Sequence, residues 1–289
     1  MPRGWIDTHA HFWDGGLVAK AWNPPPPLCG THSPAAWADE MARFPVGECI
    51  FGETGRTPEE VALLESWTAD HPAVVGFVAP LAVDGSDINR IVARWAESAT
   101  FRGVRAHFED ERGELVLTRN LETAFRGIAE TGRVFDFLVV AEQLPFVHRC
   151  CLTVPDLRAV VEHMGKPRVA GPVDAAWRAS MAALAADTGA VVKLSLSPRP
   201  DEFADLVARH PAGFPAEGVR RHVDVLLELF GPERLVWGSD WPVSVLTAAT
   251  GDFMSEWLRI LGPLGPLLGE TARRVYGLAN AHTEDPDGS

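Results

Sequence analysis

Several features that mark other classes of protein are missing from this chain. Its 289 residues include only four cysteines, Cys29, Cys49, Cys150 and Cys151, and their spacing is not that of a metal finger. Cys150 and Cys151 are adjacent and poorly placed to bridge to each other, so we expect reduced thiols in a cytoplasmic protein. No basic segment followed by an apolar stretch opens the chain, and no run of about 18 apolar residues occurs. The sequence therefore predicts neither a secretion signal nor a membrane span.

Positive charge is scarce as well. The chain has 26 Lys and Arg residues against 39 Asp and Glu residues, and its isoelectric point lies near 5.2. No block of basic residues occurs, which argues against nucleic acid and anionic membrane surfaces as partners. No Gly-x-Gly-x-x-Gly motif follows an early strand, so a dinucleotide-binding sheet has little support. We expect a small-molecule partner, and homodimerisation stays open.

What the chain does contain is an alternation of strand and helix patterns. Apolar, β-branched runs predict strands at Trp5–Thr8, Val46–Phe51, Val74–Pro80, Phe101–Ala106, Val134–Val140, Leu157–His163, Ala190–Ser195 and Leu235–Ser239. Helical periodicity predicts helices at Ser33–Phe44, Thr57–His71, Ile88–Ser98, Asn120–Thr131, Gln143–Thr153, Ala175–Thr188, Ala216–Phe230, Asp252–Leu261 and Glu270–Tyr276. Eight strand–helix units favour a closed α/β fold, the (β/α)8 TIM barrel, over an open sheet. We expect one domain over residues 1–279 and a disordered tail over 280–289.

Two polar clusters lie at opposite ends of this pattern. Ile-Asp-Thr-His-Ala-His-Phe-Trp occupies Ile6–Trp13, and Leu-Val-Trp-Gly-Ser-Asp-Trp-Pro-Val occupies Leu235–Val243. Each cluster begins in a short apolar strand and places its polar groups where that strand should end. In a closed barrel the first strand is the neighbour of the eighth, and functional side chains collect at the C-terminal ends of the strands. The two clusters are therefore expected to form one site.

The first cluster has the spacing of a shared binding site. His9 and His11 project to the same side of an extended strand, about 7 Å apart along the backbone. The two imidazoles can share one cation or one substrate oxygen, and Asp240 can supply a further oxygen ligand. Asp7 is expected on the same face, one step deeper, as a partner that fixes a ring tautomer. The spacing does not decide whether a metal is held.

Further polar residues fall near the same ends of the strands. His163 follows the sixth strand and is a candidate for polarising a carbonyl or binding a metal. Arg105 ends the fourth strand and is a candidate anchor for a carboxylate or sugar hydroxyls, with His107 beside it. Lys193, inside the seventh strand, is either a buried ion pair or a substrate contact. Two tryptophans adjoin the clusters and are candidates for flat apolar walls of the pocket: Trp13 and Trp241.

Five short motifs occur in the order found in a known superfamily. They occupy residues 6–13, 101–105 (Phe-Arg-Gly-Val-Arg), 162–167 (Glu-His-Met-Gly-Lys-Pro), 192–195 (Val-Lys-Leu-Ser) and 237–243 (Trp-Gly-Ser-Asp-Trp-Pro-Val). Together they resemble the amidohydrolase superfamily, and within it the amidohydrolase 2 branch that holds sugar-lactone hydrolases and the pyrone-dicarboxylate lactonase. The resemblance runs from residue 4 to 279. It implies a barrel that hydrolyses a carboxylic ester within a ring.

The resemblance also implies roles for individual residues. Asp240 would activate water as the general base. His163 would stabilise the oxyanion, alone or together with a cation on His9 and His11. One divalent metal, zinc first, would be held by His9, His11 and Asp240. Because the branch includes members that work without a metal, metal-free catalysis stays open.

Two positions depart from the pattern of the branch. Glu142 precedes Gln-Leu-Pro where relatives often have His, and Glu162 begins the sixth-strand motif where Asp is usual. Substrate contacts near these residues are therefore open, and the sequence does not identify the lactone.

Two other functions are compatible with the same residues. A non-oxidative decarboxylase of an aromatic acid would use the same His-x-His and terminal Asp with a divalent metal. A barrel that binds a metabolite without catalysis is the alternative outside enzymes. Loss of CO2 from a hydroxybenzoate would identify the first, and tight metabolite binding without turnover would identify the second.

Overall fold

A parallel sheet of eight strands runs through the part of the chain that the computed structural model describes, residues 4–16, 24–52, 54, 58–111 and 113–279. Each strand pairs with the next one along the chain. The strands are β1 Trp5–His11, β2 Val46–Gly52, β3 Val74–Pro80, β4 Phe101–His107, β5 Val134–Leu138, β6 Arg158–Val161, β7 Val191–Leu194 and β8 Leu235–Trp237. The tail predicted to be disordered, 280–289, lies outside the described residues.

The sheet closes because β1 meets the segment that follows β8. The backbone N–H of Asp240 donates to the carbonyl of His9 at 2.8 Å, and the N–H of His11 donates to the carbonyl of Trp241 at 2.7 Å. Helices alternate with the strands around the sheet. The architecture is therefore the (β/α)8 barrel that the strand–helix alternation predicts.

The connecting helices begin where the local sequence places caps. They are α1 Pro34–Met41, α2 Pro58–Asp70, α3 Ile88–Trp95, α4 Arg119–Glu130, α5 Leu144–Thr153, α6 Ala175–Asp187, α7 Phe203–Ala208, α8 Ala216–Phe230, α9 Thr250–Leu261 and α10 Gly265–Tyr276. Ser33 caps α1 by accepting a hydrogen bond from the N–H of Ala36 at 3.2 Å. The short helix α7 has no counterpart among the predicted helices. Among the helices of the described ranges, none combines the length and the apolar character that a bilayer crossing requires.

Several strand ends differ from the prediction, and the differences in β1 and β6 affect the site. β1 continues to His11 instead of ending at Thr8. β6 ends at Val161 instead of continuing to His163, because His163 and Met164 adopt φ of 50° and 56°. This left-handed backbone cannot continue a strand and is uncommon for residues other than glycine. His163 therefore lies in a tight turn after β6.

Apolar side chains from seven of the eight strands pack against the last helix. This buried cluster includes Tyr276 of α10. The Tyr276 hydroxyl lies 3.3 Å from both carboxylate oxygens of Asp136 in β5. The final helix thus contacts the buried polar groups of the barrel as well as its apolar layer.

Candidate active site and metal centre

The structure brings His9, His11 and Asp240 together where β1 meets the end of β8. The two Nε2 atoms lie 3.0 Å apart, and Asp240 Oδ1 lies 3.4 Å from each of them. All three residues are buried. The three ligand atoms therefore surround one small space, as the His-x-His spacing predicts for a shared cation or substrate oxygen.

The remaining ring nitrogens show that this space is suited to a cation. His11 Nδ1 lies 3.1 Å from the carbonyl oxygen of Gly52, and His9 Nδ1 lies 2.9 Å from Oε1 of Glu162. Both oxygens are acceptors, so each favours a protonated Nδ1 and leaves a lone pair on Nε2. When both Nε2 atoms are unprotonated, two lone pairs and a carboxylate oxygen converge on this space. Such a nitrogen–oxygen set fits one zinc-type divalent ion.

Asp240 combines an uncommon backbone conformation with an unused oxygen. Its φ is 56°, in the left-handed region that residues other than glycine rarely adopt. Its Oδ2 atom is buried and has no hydrogen-bond partner among the described residues. A buried acceptor without a donor costs about 1–3 kcal/mol. Strain and an open acceptor at one residue are typical of a functional site.

Asp7 does not contact the imidazole rings, so its expected role in fixing a tautomer is wrong. Its Oδ1 accepts from the N–H groups of Ser239 at 2.8 Å and His9 at 3.1 Å. Its Oδ2 accepts from the Ser239 hydroxyl at 2.6 Å and the Trp37 indole at 3.0 Å. The pairing of β1 shifts register between Asp7 and Ala10, which breaks the regular alternation of the strand. Asp7 instead ties β1 and the residue before Asp240 to helix α1.

His163 packs directly against the cluster of His9, His11 and Asp240. Its ring centroid lies 4.5 Å from that of His9. Its Nδ1 lies 2.9 Å from the hydroxyl of Ser195, and its Nε2 lies 3.9 Å from Oε2 of Glu162. When Ser195 donates to Nδ1, the neutral ring carries its proton on Nε2 and can donate to a substrate oxygen.

Lys193 is part of a second buried cluster beside the first. Its Nζ lies 2.8 Å from Asp136 Oδ2, 3.3 Å from Glu162 Oε1, 3.2 Å from His9 Nδ1 and 3.1 Å from the carbonyl oxygen of Thr8. Lys193 is 0% exposed. Because the oxygens of Asp136, Glu162 and Thr8 are three acceptors for an ammonium with three N–H groups, no N–H is left over for a substrate. The position supports the buried ion pair rather than the substrate contact.

Arg105 and His107 lie together at the end of β4. The Nε of Arg105 donates to Oε2 of Glu162 at 2.8 Å, and its Nη1 lies 3.0 Å from His107 Nε2. Glu142, the departure noted in the sequence, accepts from Nη2 of Arg199 at 3.0 and 3.1 Å. Its carboxylate is therefore held by an ion pair at the rim of the barrel.

The rings of both candidate tryptophans contact the ring of His32. The His32 ring is 4.7 Å from the Trp13 ring and 5.5 Å from the Trp241 ring, centroid to centroid. The Trp13 indole donates to the carbonyl of Gly30 at 3.0 Å. Both tryptophans are 1% exposed. Their role as walls of a substrate pocket stays a prediction.

The surroundings set the charges of the site at neutral pH. Burial by itself raises the pKa of Asp240, but His163, His11 and His9 hold it well below its ordinary value. Burial lowers the pKa of His163 well below its usual range, and it also lowers the pKa of His11. Burial opposes protonation of His9, but the charge of Glu162 raises its pKa above the ordinary value. Asp240 is thus a carboxylate and His163 a neutral imidazole.

Three polar residues of the site were not assigned a role from the sequence. Glu162 contacts His9 and Arg105, Asp136 contacts Lys193, and Ser195 contacts His163. Asp136 had a usable signal, because it is the one charged residue in the apolar strand Val134–Leu138. Glu162 stands out in the sequence only because it occupies a position where Asp is usual.

The barrel carries a His-x-His pair on β1, a histidine after β6 and an aspartate after β8. This combination is typical of hydrolases that have a (β/α)8 fold. A family model of the amidohydrolases matches residues 6–278, and the chain belongs to this family. The resemblance found in the motifs is thereby confirmed.

Curated relatives and a solved structure resemble most of the chain. An L-fucono-1,5-lactonase from Burkholderia ambifaria is 30% identical, with 94% of this chain and 92% of the relative covered. A second L-fucono-1,5-lactonase, from Burkholderia multivorans, is 29% identical, with 94% and 96% covered. The crystal structure of an amidohydrolase from Burkholderia multivorans with bound zinc is 27% identical, with a TM-score of 0.80 and coverage of 95% of this chain and 99% of that one.

Proposed function

We propose that this amidohydrolase opens a small lactone with water that is activated by Asp240. We also propose that His9, His11 and Asp240 hold one divalent metal ion, for which zinc is the first candidate. The observation that carries the proposal is the convergence of His9 Nε2, His11 Nε2 and Asp240 Oδ1 beside a buried Oδ2 that no described group uses. All of these groups lie within the single domain that the sequence predicts over residues 1–279.

The relatives support the reaction class. Two of them are L-fucono-1,5-lactonases at about the same 30% identity over nearly the whole chain. The related amidohydrolase with bound zinc supports zinc as the metal. We therefore take six-membered sugar lactones as the first substrates to test, and pyrone carboxylates as the second.

The ionised carboxylate of Asp240 performs the first proton transfer. It accepts a proton from water through Oδ2 as the water oxygen attacks the ring carbonyl carbon. His163 is neutral because of its burial. Its Nε2–H donates a hydrogen bond to the carbonyl oxygen as negative charge develops there. His9, His11 and Asp240 would hold a zinc ion, which would supply positive charge beside the reacting carbonyl.

Collapse of the tetrahedral intermediate completes the reaction. The bond between the carbonyl carbon and the ring oxygen breaks, and Asp240 returns its proton to the leaving alkoxide. The product is a hydroxy acid, which releases a proton at neutral pH. Arg105 and His107 are proposed to hold the hydroxyls or a carboxylate of the substrate, and Trp13 and Trp241 are proposed to form the apolar side of the pocket.

A pH-indicator assay with and without chelator tests the proposal. Sugar lactones of five- and six-membered rings and pyrone carboxylates are offered to the metal-analysed wild type and to Asp240→Asn. One lost group of this kind costs about 10²–10³ in turnover, so we expect at least a hundredfold lower kcat in the variant with its fold intact. Asp70→Asn, which changes an exposed carboxylate on α2, is the matched control and should keep wild-type turnover.

Each outcome assigns a part of the mechanism. Near-wild-type turnover by Asp240→Asn would remove Asp240 as the base. Hydrolysis that continues after the chelated protein is shown to be metal-free would mean that the reaction does not require a metal. CO2 release from hydroxybenzoates without lactone opening would show that the protein is a decarboxylase and not a lactonase.

A further inference from the structure

Two groups of potential metal ligands in the barrel share His9, and they differ in how they are neutralised. The first consists of His9, His11 and Asp240, and the second of His9, Glu162 and His163. Within the described residues, the ion-pair partners of Asp240 are the two histidines of its own group. The first group thus contains no lysine or arginine ion pair.

Two members of the second group, His9 and Glu162, already contact the protein's own cations. Lys193 Nζ lies within 3.3 Å of two of its three members, His9 Nδ1 and Glu162 Oε1. Both oxygens of Glu162 are engaged, because Arg105 Nε donates to Oε2 at 2.8 Å. Lys193 also lies 2.8 Å from Asp136. Each buried carboxylate here therefore has a nitrogen cation within 2.8 Å.

We propose that the Lys193 ammonium is a tethered cation that fills the place of a second metal ion, so that the centre takes one exchangeable metal rather than two. The choice of one metal at the first group rests on the proposed function. The occupation of the second position by Lys193 rests only on the contacts of that side chain. Removing the ammonium turns the position into a divalent-metal site.

The geometry around Nζ is that of a small coordination site. Asp136 Oδ2, Glu162 Oε1 and the carbonyl oxygen of Thr8 surround it at 2.8, 3.3 and 3.1 Å. Three oxygens of this kind suit a hard divalent ion such as Mn²⁺, which needs an inward shift of about 1 Å from ammonium distances. Tyr276 contacts Asp136 from α10, and the cluster is fully buried. An added ion must therefore enter while the chain folds.

Metal counting on refolded proteins tests the inference. Wild type, Lys193→Ala and Lys193→Met are unfolded in urea with chelator, refolded in excess MnCl2, and freed of loose ion by gel filtration. Metal per chain is measured by plasma mass spectrometry, and folding is checked by circular dichroism. Alanine leaves both the space and the carboxylates, whereas methionine fills the space without charge.

We expect Lys193→Ala to hold one more Mn²⁺ per chain than wild type, and Lys193→Met to hold the wild-type number. Adding Asp136→Asn to Lys193→Ala should abolish the extra ion, because it removes a ligand oxygen and a negative charge. Recovery of folded Lys193→Ala only when Mn²⁺ is present would support the same conclusion.

Equal metal content in wild type and Lys193→Ala would overturn the inference. Failure of Lys193→Ala to fold with or without Mn²⁺ would overturn it as well, since a divalent ion would then not replace the ammonium. The test reads the difference between the two proteins and not lactonase activity. A wild type that binds no metal would count against the proposed zinc site alone.

Discussion

Replacement of Asp7 by asparagine tests whether this carboxylate joins the two ends of the barrel. Asp7 accepts four hydrogen bonds, from the N–H groups of Ser239 and His9, the Ser239 hydroxyl and the Trp37 indole. An asparagine amide has one acceptor oxygen, so in either orientation its NH2 group faces two of these donors. If the NH2 group replaces Oδ2, the Ser239 hydroxyl can rotate to accept, but the Trp37 indole N–H stays unpaired. If it replaces Oδ1, the N–H groups of Ser239 and His9 both lose their acceptor.

The cost of Asp7→Asn follows from these contacts. A buried unpaired donor costs about 1–3 kcal/mol, and the remaining bonds lose the strength that a charged acceptor provides. We therefore expect the free energy of unfolding to fall by about 3 kcal/mol, measured by urea titration at pH 7. At about 2–4 °C per kcal/mol for a chain of roughly this size, the Tm should fall by about 6–12 °C.

A control and a kinetic measurement separate this role from general damage. Asp70→Asn removes an exposed carboxylate that accepts from Ser66, and surface changes of this kind stay within about 0.5 kcal/mol. If the proposed lactonase activity is established, Asp7→Asn should lower kcat more than it raises KM, because it releases the segment that carries Asp240. A loss of stability below 1 kcal/mol would show that Asp7 does not hold the two strands together.

Two further predictions concern protons and thiols. Because burial lowers the pKa of His163, the unfolded chain takes up a proton below about pH 6.5 that the folded chain does not; the free energy of unfolding should then fall by up to about 1.4 kcal/mol per pH unit for this group. Urea titrations from pH 7 to pH 5 should show a shallower fall in His163→Gln, and an unchanged slope would contradict this. All four cysteines are free, as expected, but only Cys29 is exposed. A thiol reagent should therefore modify one thiol in the native protein and four in urea, and rapid modification of a second would be inconsistent with this burial.

The order of strands and helices followed from the sequence because it depends on local patterns. Alternating apolar strands and capped helices predicted eight units, and the closed eight-stranded sheet confirms them. The meeting of His9 and Asp240 followed from the same count, since closure makes β1 the neighbour of β8. Local signals of this kind were sufficient for the fold and for the location of the candidate site.

The contacts inside the site depended on small departures from regular geometry. A register shift in β1 carries Asp7 away from the rings that strict alternation would place beside it, and Glu162 contacts His9 instead. The left-handed backbone at His163 ends β6 early and has no periodic signal in the sequence. A pattern of period two cannot report where a strand is interrupted.

The amino-acid sequence alone was sufficient for the barrel, the family resemblance and the pairing of His9 and His11 with Asp240. Only the tertiary structure showed that Lys193 forms ion pairs with Asp136 and Glu162. Residues on β5, on β7 and directly after β6 acquire their partners when the barrel closes, and the energy of a buried charge depends on which partners lie within about 3 Å. These distances are set by the folded structure and cannot be read from the order of the residues.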